Sequence, residues 1–251
     1  MQMTADPLAW RIERACVAAL PPAERTRIGD WWAARSGGGS RRINAASAVT
    51  ADALLDRSVL ARIDAHYAAA GLPTIVRVTD LTCSATDWLD AEGFAGPEGA
   101  TRTLMRQGGG GHRWSGAVVA DHAGPCWLAA RRHLAPGASD PTEMAARLSV
   151  PAGYARLEEG GAVRAIGYVA LHDGIAVIEA VGTDPAARRR GHARAIVAAL
   201  IGWADRHGAA HIALQVEETN APARALYAAM GFATDLYGYH YRRRVPCPSR
   251  A

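Results

Sequence analysis

The stretch that most constrains this chain runs from Val181 to Phe232. An apolar run, Ile175-Ala176-Val177-Ile178, leads through Glu179 into Val181-Gly182-Thr183-Asp184-Pro185. Directly behind come Arg188-Arg189-Arg190-Gly191-His192-Ala193 and a periodic apolar segment to about His207. The pattern predicts strand, turn, helix: β-rich residues end at Pro185, and a glycine lets the backbone approach whatever sits at the helix start. Unpaired N–H groups at a helix N-terminus, with the helix dipole behind them, make an anion site. Three arginines beside it point to an anion of several charges, and a pyrophosphate fits. Neither Gly-x-x-x-x-Gly-Lys-Ser/Thr nor a Gly-x-Gly-x-x-Gly opening a first βα unit is present.

The loop Arg188-x-x-Gly191-x-Ala193 resembles the acetyl-coenzyme A loop of the GCN5-related N-acetyltransferase superfamily, Arg/Gln-x-x-Gly-x-Gly/Ala. The residues downstream make the resemblance specific. His211 to Val216 reads as the next strand, and then Asn220, Ala223, Tyr227, Gly231 and Phe232 match the superfamily's Asn-x-x-Ala-x-x-x-Tyr-x-x-x-Gly-Phe helix. Asn220 is a good N-cap, Pro222 is tolerated in the first turn, and Gly231 is a good terminator. The resemblance implies an α/β (α+β) fold, a mixed central sheet flanked by helices.

Composition bounds the setting. At 251 residues the chain can hold one large domain or two small ones, and no apolar run is long enough to span a bilayer. The opening residues show no basic and then apolar export signal. Cys16, Cys83, Cys126 and Cys247 lack CxxC spacing, so neither zinc nor a disulfide framework is expected, and a reducing cytoplasm is the default. All 28 basic residues are arginine, and the net charge of +4 is accounted for by a polyanionic cofactor and the tail Arg242-Arg243-Arg244. Neither a nucleic acid nor a membrane is an expected partner.

From the start, apolar spacing predicts a helix over residues 6–20 and a second through Leu54, Leu55, Val59, Ile63 and Tyr67, closed by Gly71. Residues 31–35 and 41–49 read as extended runs of a hairpin. Strands are expected at 74–79 and 101–105, a short helix at 87–93, and two strands between Trp114 and Arg132. Pro141 to Leu148 suits a helix capped by Asp140. Strands at 154–157 and 163–171 lead to a tight Asp173-Gly174 turn into the strand at Ile175.

The two halves share an order. Gly93-Phe94 precedes Gly231-Phe232 by 138 positions, and at that offset Val78 falls on Val216, Leu89 on Tyr227 and Ile63 on Ile201. Strand, helix, strand, helix ending in Gly-Phe, strand occurs twice. In the first copy Asp52-Ala53 stands for Arg190-Gly191, Thr82 for Asn220 and Leu89 for Tyr227. The expected organisation is a degenerate acetyltransferase-like domain at 1–106, a Gly-rich linker at 107–112 and a catalytic domain at 113–251. In layout the chain is similar to the mycothiol synthases of this superfamily.

The resemblance implies acetyl transfer from acetyl-coenzyme A to an amine by direct attack. The cofactor would be held by the edge of Val181 and Thr183, by Arg188, Arg189, Arg190, Gly191, His192, Ala193 and Arg194, and by Asn220, Ala223 and Tyr227. Tyr227 matches the family's general acid. For the base, period-two alternation puts Glu179 on the side of Val181 and Thr183, and Glu217 is a second candidate. Several relatives carry the acid two positions before Glu179, where this chain has Val177. No metal is expected, since His207, His211 and His240 lack ligand spacing. The expected activity is N-acetylation of a primary amine of a small molecule. A protein N-terminal acetyltransferase and a catalytically silent acyl-coenzyme A sensor are the alternatives.

Overall fold

The computed structural model describes residues 7–82, 86–109 and 116–244. In chain order the elements are α1 (Leu8–Ala19), β1 (Glu24–Ile28), β2 (Trp31–Arg35), β3 (Ala46–Ala48), α2 (Arg57–Ala68), β4 (Thr74–Thr79) and β5 (Glu98–Gln107). The series continues with β6 (Ala117–Ala120), α3 (Pro125–Leu134), α4 (Pro141–Arg147), β7 (Ala152–Glu159), β8 (Ala162–His172) and β9 (Ile175–Thr183). Then come α5 (His192–Arg206), β10 (His211–Glu217), α6 (Ala221–Ala229) and β11 (Thr234–Arg244). Residues 41–43, 87–89 and 185–187 are single turns of 3-10 helix.

These elements form two compact units. The first gathers the described residues up to Pro21 with those of Thr103–Val216 and Asn220–Leu236; the second gathers the described residues of Pro22–Arg102, Glu217–Thr219 and those from Tyr237 to Arg244. In the first unit the strand order is β6-β7-β8-β9-β10-β5, antiparallel from β6 to β9, with β9 and β10 parallel. A parallel pair needs a crossover, and α5 supplies it. Asp173 and Gly174, both at positive φ (48° and 70°), make the tight turn from β8 to β9.

The core of this unit lies between α5 and the sheet. Ile196, Leu200, Ile201 and Trp203 pack with Ile178, Ile212, Leu214, Tyr227 and Phe232, each fully buried aliphatic contributing about 1.5–3 kcal/mol. Two glycines let the helix come this close. A Cβ on Gly153 would meet the Trp203 indole at 2.7 Å, and one on Gly167 would meet Ile196 Cγ2 at 2.9 Å. On the other face Trp127 Nε1 donates to Gly167 O (3.1 Å), and the Tyr168 hydroxyl donates to Ala19 O at the end of α1 (2.8 Å).

The stretch expected to hold two strands holds one, β6, and then a helix. Trp114 lies outside the described residues. Pro125 starts α3 at a position that needs no N–H, and Trp127, Ala130, Arg131 and Leu134 repeat at helical spacing, which a two-residue period misses. Residues 41–43 form a 3-10 turn rather than an extended run, and β1, polar and mostly exposed, carries no apolar signal.

In the second unit the order is β1-β2-β3-β4-β11, antiparallel except for the parallel pair β3/β4. The internal repeat is visible here in hydrogen bonds. Phe94 N–H donates to Leu89 O and Gly93 N–H to Asp90 O; at the same offset Phe232 N–H donates to Tyr227 O and Gly231 N–H to Ala228 O, all between 3.0 and 3.1 Å. The last strand of each unit comes from the other half of the sequence: β11 pairs with β4, and β5 lies beside β10. Of the residues read as a linker, Gln107 closes β5, Gly108 N–H bonds Ala210 O (2.9 Å) and Gly109 N–H bonds Asp205 Oδ1 (2.8 Å). Residues 110–112 lie outside the described residues.

Candidate active site

The site starts from an irregularity in β9. Tyr168 of β8 lies opposite Glu179, but Ile166, two residues back, lies opposite Gly182, three residues on. The extra residue is a bulge, and Ala180 carries it at φ 54°. A bulge reverses the alternation, so Glu179 and Gly182 share the face of Tyr168, while Val181 and Thr183 take the opposite one. Neighbours agree: a Cβ on Gly182 would lie 3.5 Å from Leu134 Cδ1 of α3, and one on Gly167 would lie 3.4 Å from Val181 Cγ2 on the α5 side. The expectation that Glu179 sits on the side of Val181 and Thr183 is therefore corrected, because strict period two assumes an unbulged strand.

Pairing between β9 and β10 stops at Ile178 and Leu214. From Glu179 to Thr183 the backbone groups of β9 that point toward β10 have no ladder partner there, so they are available to an extended ligand. The Thr183 hydroxyl is buried and has no hydrogen-bond partner among the described residues.

β9 leads into a braced turn. Asp184 accepts from Ala186 N–H (2.9 Å) and pairs with Arg164 (2.6 Å), contacts that hold its carboxyl below the usual range. Arg189 (φ 64°) and Gly191 (φ 82°) then turn the chain into α5. The first intrahelical bond runs from Ala195 N–H to Gly191 O (3.0 Å), which leaves the amides of His192, Ala193 and Arg194 without a carbonyl inside the helix. A Cβ on Gly191 would meet nothing within 4 Å, so the chain is uncrowded at the residue that precedes them. Arg188, Arg189 and Arg194 are exposed and have no ion-pair partner among the described residues. Arg190 instead bonds Glu159 (2.7 Å). The His192 ring is turned inward, and its Nδ1 is buried without a hydrogen-bond partner among the described residues.

The second parallel strand delivers α6. Asn220 Oδ1 accepts from Ala223 N–H (3.2 Å), so the Ala223 amide is spent on the cap. Two turns on, Tyr227 is 8% exposed and packs edge-on to Phe232 with ring centroids 5.9 Å apart. Burial, and then the charge of Glu179, push its phenol up to about 12. The structure thus brings Tyr227 and Glu179 within electrostatic reach, at the end of β9 where the ladder opens. Glu217, the other candidate base, bonds Arg41 at 3.0 Å and belongs to the second unit.

A family model described as the C-terminal region of the probable histone acetyltransferase Rv0428c matches residues 9–245. The chain belongs to that family. The aminoglycoside N(6')-acetyltransferase type 1 of Serratia marcescens is 31% identical over 143 residues, 51% of this chain and 98% of that protein. A GCN5-related N-acetyltransferase from Kribbella flavida superposes with TM-score 0.72 at 17% identity, covering 97% of this chain and 98% of the other. A tandem protein of the superfamily from the clavulanic acid biosynthesis pathway does so with TM-score 0.60 at 15% identity, over 98% and 90% of the two chains. The protein is an acetyltransferase of the GCN5-related superfamily with a tandem fold.

In this acetyltransferase the described residues of the second unit do not repeat the site. Asp56 caps α2 with its own carboxylate, which accepts from Val59 N–H (2.8 Å), whereas α5 begins at a glycine with no side chain to offer. Leu89, at the repeat position of Tyr227, is fully buried. One residue of the first unit escaped the sequence reading. Arg131 of α3 is half-buried and in electrostatic contact with Glu179 and Tyr168. The helical spacing Trp127–Arg131–Leu134 was the signal for it.

Proposed function

We propose that this acetyltransferase moves an acetyl group from acetyl-coenzyme A to a primary amine of a small molecule in the cytoplasm. One coincidence carries the reading: a β9 edge without a ladder partner, a glycine-opened helix start with spare amides, and a buried phenol beside a carboxylate all meet in one unit.

The residues fit the cofactor. The amides of His192, Ala193 and Arg194, with Arg188, Arg189 and the Arg194 side chain, suit a pyrophosphate. The backbone of Val181 and Thr183 suits an amide-bearing arm, and the orphaned Thr183 hydroxyl is a further donor. Acetyl-coenzyme A, when bound, supplies an acetyl group activated as a thioester. Glu179 takes the proton that an alkylammonium must lose before it can attack, directly or through water. The Tyr227 hydroxyl stays protonated and is the proton this site has for a departing group.

The relative from Serratia marcescens, named for acetylating an aminoglycoside nitrogen, supports a small-molecule amine. The family's description as a probable histone acetyltransferase favours a second reading, an amine carried by a protein. We further assign catalysis to residues 113–251, with 1–106 as the degenerate copy and 107–112 joining them. Incubating the protein with acetyl-coenzyme A, a panel of small amines and histone-tail peptides, and monitoring new thiol, tests both. Release with small amines supports the proposal; release with peptides alone replaces it by the second reading; no release with any acceptor overturns both.

A further inference from the structure

The helix α3 presents a stripe of Trp127, Arg131 and Leu134 to the sheet. Both ends of this stripe are fixed. Trp127 Nε1 donates to Gly167 O of β8 (3.1 Å), and Leu134 Cδ1 lies 3.5 Å from the Cβ direction of Gly182 on β9. Arg131 comes one turn after Trp127 and one before Leu134, so its side chain is directed at the sheet between those anchors. That is the face of Tyr168 and Glu179, across the bulge. Its guanidinium donates no hydrogen bond and forms no ion pair with any carboxylate among the described residues. The neighbouring Arg132, by contrast, is exposed and bonded to Asp140 (3.1 Å) and Thr142 (2.7 Å).

A half-buried guanidinium with five donors and no acceptor is costly unless an anion arrives to take them. Burial lowers the pKa of Arg131, and its electrostatic interactions with Tyr168 and then Glu179 work against that. Glu179 is the group beside Arg131 that would receive an ammonium. An acceptor engaging both would carry a positive and a negative charge on one molecule.

We infer that Arg131 binds an anionic group of the acceptor, and that the acceptor is a zwitterionic amine, an amino group with a carboxylate close by, rather than a polycation. The inference rests on the reading of this unit as an N-acetyltransferase and narrows its substrate class. Arg suits the role because its planar fork meets a carboxylate with two parallel hydrogen bonds.

The test uses the full chain and matched pairs of amines, an amino acid and its primary amide, at fixed acetyl-coenzyme A. Wild-type kcat/KM should favour the carboxylate member by roughly tenfold to a hundredfold, the worth of a charge-assisted pair, with the difference mostly in KM. Arg131→Met should erase that preference while leaving the amide member within about threefold, and Arg131→Lys should keep part of it. Unchanged coenzyme A affinity in both variants shows that they are folded. Calorimetric titration of the same amino acids into the coenzyme A-loaded protein gives a readout independent of turnover. If amines are acetylated with no preference for a carboxylate, or if Arg131→Met keeps the preference, the zwitterion inference is overturned and the acetyltransferase reading stands. If nothing is acetylated but amino acids bind in an Arg131-dependent way, the anion site stands and the N-acetyltransferase reading is lost. If neither happens, both are overturned.

Discussion

The carboxylate of Glu179 acts on the phenol of Tyr227, adding to burial in holding the Tyr227 proton until about pH 12. Burial is the larger cause and the negative charge of Glu179 the smaller, and both favour the neutral phenol.

Tyr227→Phe keeps the ring and its contact with Phe232 but removes the proton. Turnover should fall by ~10²-fold or more, the usual contribution of a general acid, with coenzyme A affinity unchanged. Steady-state kinetics with a poor thiol leaving group make the check sharpest; undiminished turnover there removes Tyr227 from the chemistry.

The pH dependence has a definite sign. A phenol raised to about 12 is neutral throughout the range in which an amine acceptor deprotonates. The kcat/KM of the wild type should therefore rise with pH and show no falling limb between pH 7 and 10. Glu179→Gln removes the charge that contributes to the shift, so the Tyr227 phenol should titrate lower than in the wild type while remaining raised by burial. Ultraviolet difference titration against Tyr227→Phe isolates this phenol. A Glu179→Gln variant with an unmoved Tyr227 titration would show that the two groups are not coupled.

Gly191 has open space in front of it but a left-handed backbone, φ 82°. Gly191→Ala should cost about 1–2 kcal/mol of strain and little affinity. Gly191→Glu adds a negative charge before the α5 amides and should abolish measurable coenzyme A binding in calorimetry, with far-ultraviolet circular dichroism preserved. Wild-type affinity in Gly191→Glu would mean that the anion binds elsewhere.

One coenzyme A should bind per chain. The start of α2 is already occupied by the Asp56 carboxylate, and Leu89 replaces the phenol. Asp56→Ala should lower stability by about 1 kcal/mol through loss of the cap without opening a second site. A calorimetric stoichiometry near two would show that the first copy still works.

Gly167 is a packing requirement of the same site. A methyl there would press on Ile196 Cγ2 at 2.9 Å and Leu200 Cδ1 at 3.0 Å, and would touch Val181 at 3.4 Å. Gly167→Ala should destabilise the protein by about 1–3 kcal/mol through overpacking, seen as a lower urea midpoint with an unchanged slope. An unaltered midpoint would show that α5 yields freely.

The features legible in the sequence are those that a few adjacent residues decide. Asp173-Gly174 turns because both take positive φ cheaply, Asn220 and Asp140 cap because their oxygens reach the next amides, and Gly191 lets the chain enter α5. The apolar spacing of α5 needed nothing beyond its own period. The repeat was legible too, since Gly93-Phe94 and Gly231-Phe232 close their turns with the same hydrogen bonds.

What the tertiary structure alone decided involves partners far apart in the chain. Nothing in Glu179-Ala180-Val181 marks Ala180 for φ 54°, a conformation alanine disfavours. The bulge lies where β8 pairs on both sides of it, with Trp127 bonded to the Gly167 carbonyl and α5 packed over Gly167 on the other face. That single extra residue sends Glu179 to the face of Arg131 and Val181 to the face of α5, against the simple alternation of a strand. That β5 lies beside β10 and that β11 pairs with β4 is likewise a matter of edge pairing, which propensity cannot encode because each strand would read the same beside either neighbour. Local sequence determined which residues could hold an anion or carry a proton; long-range pairing decided which of them meet.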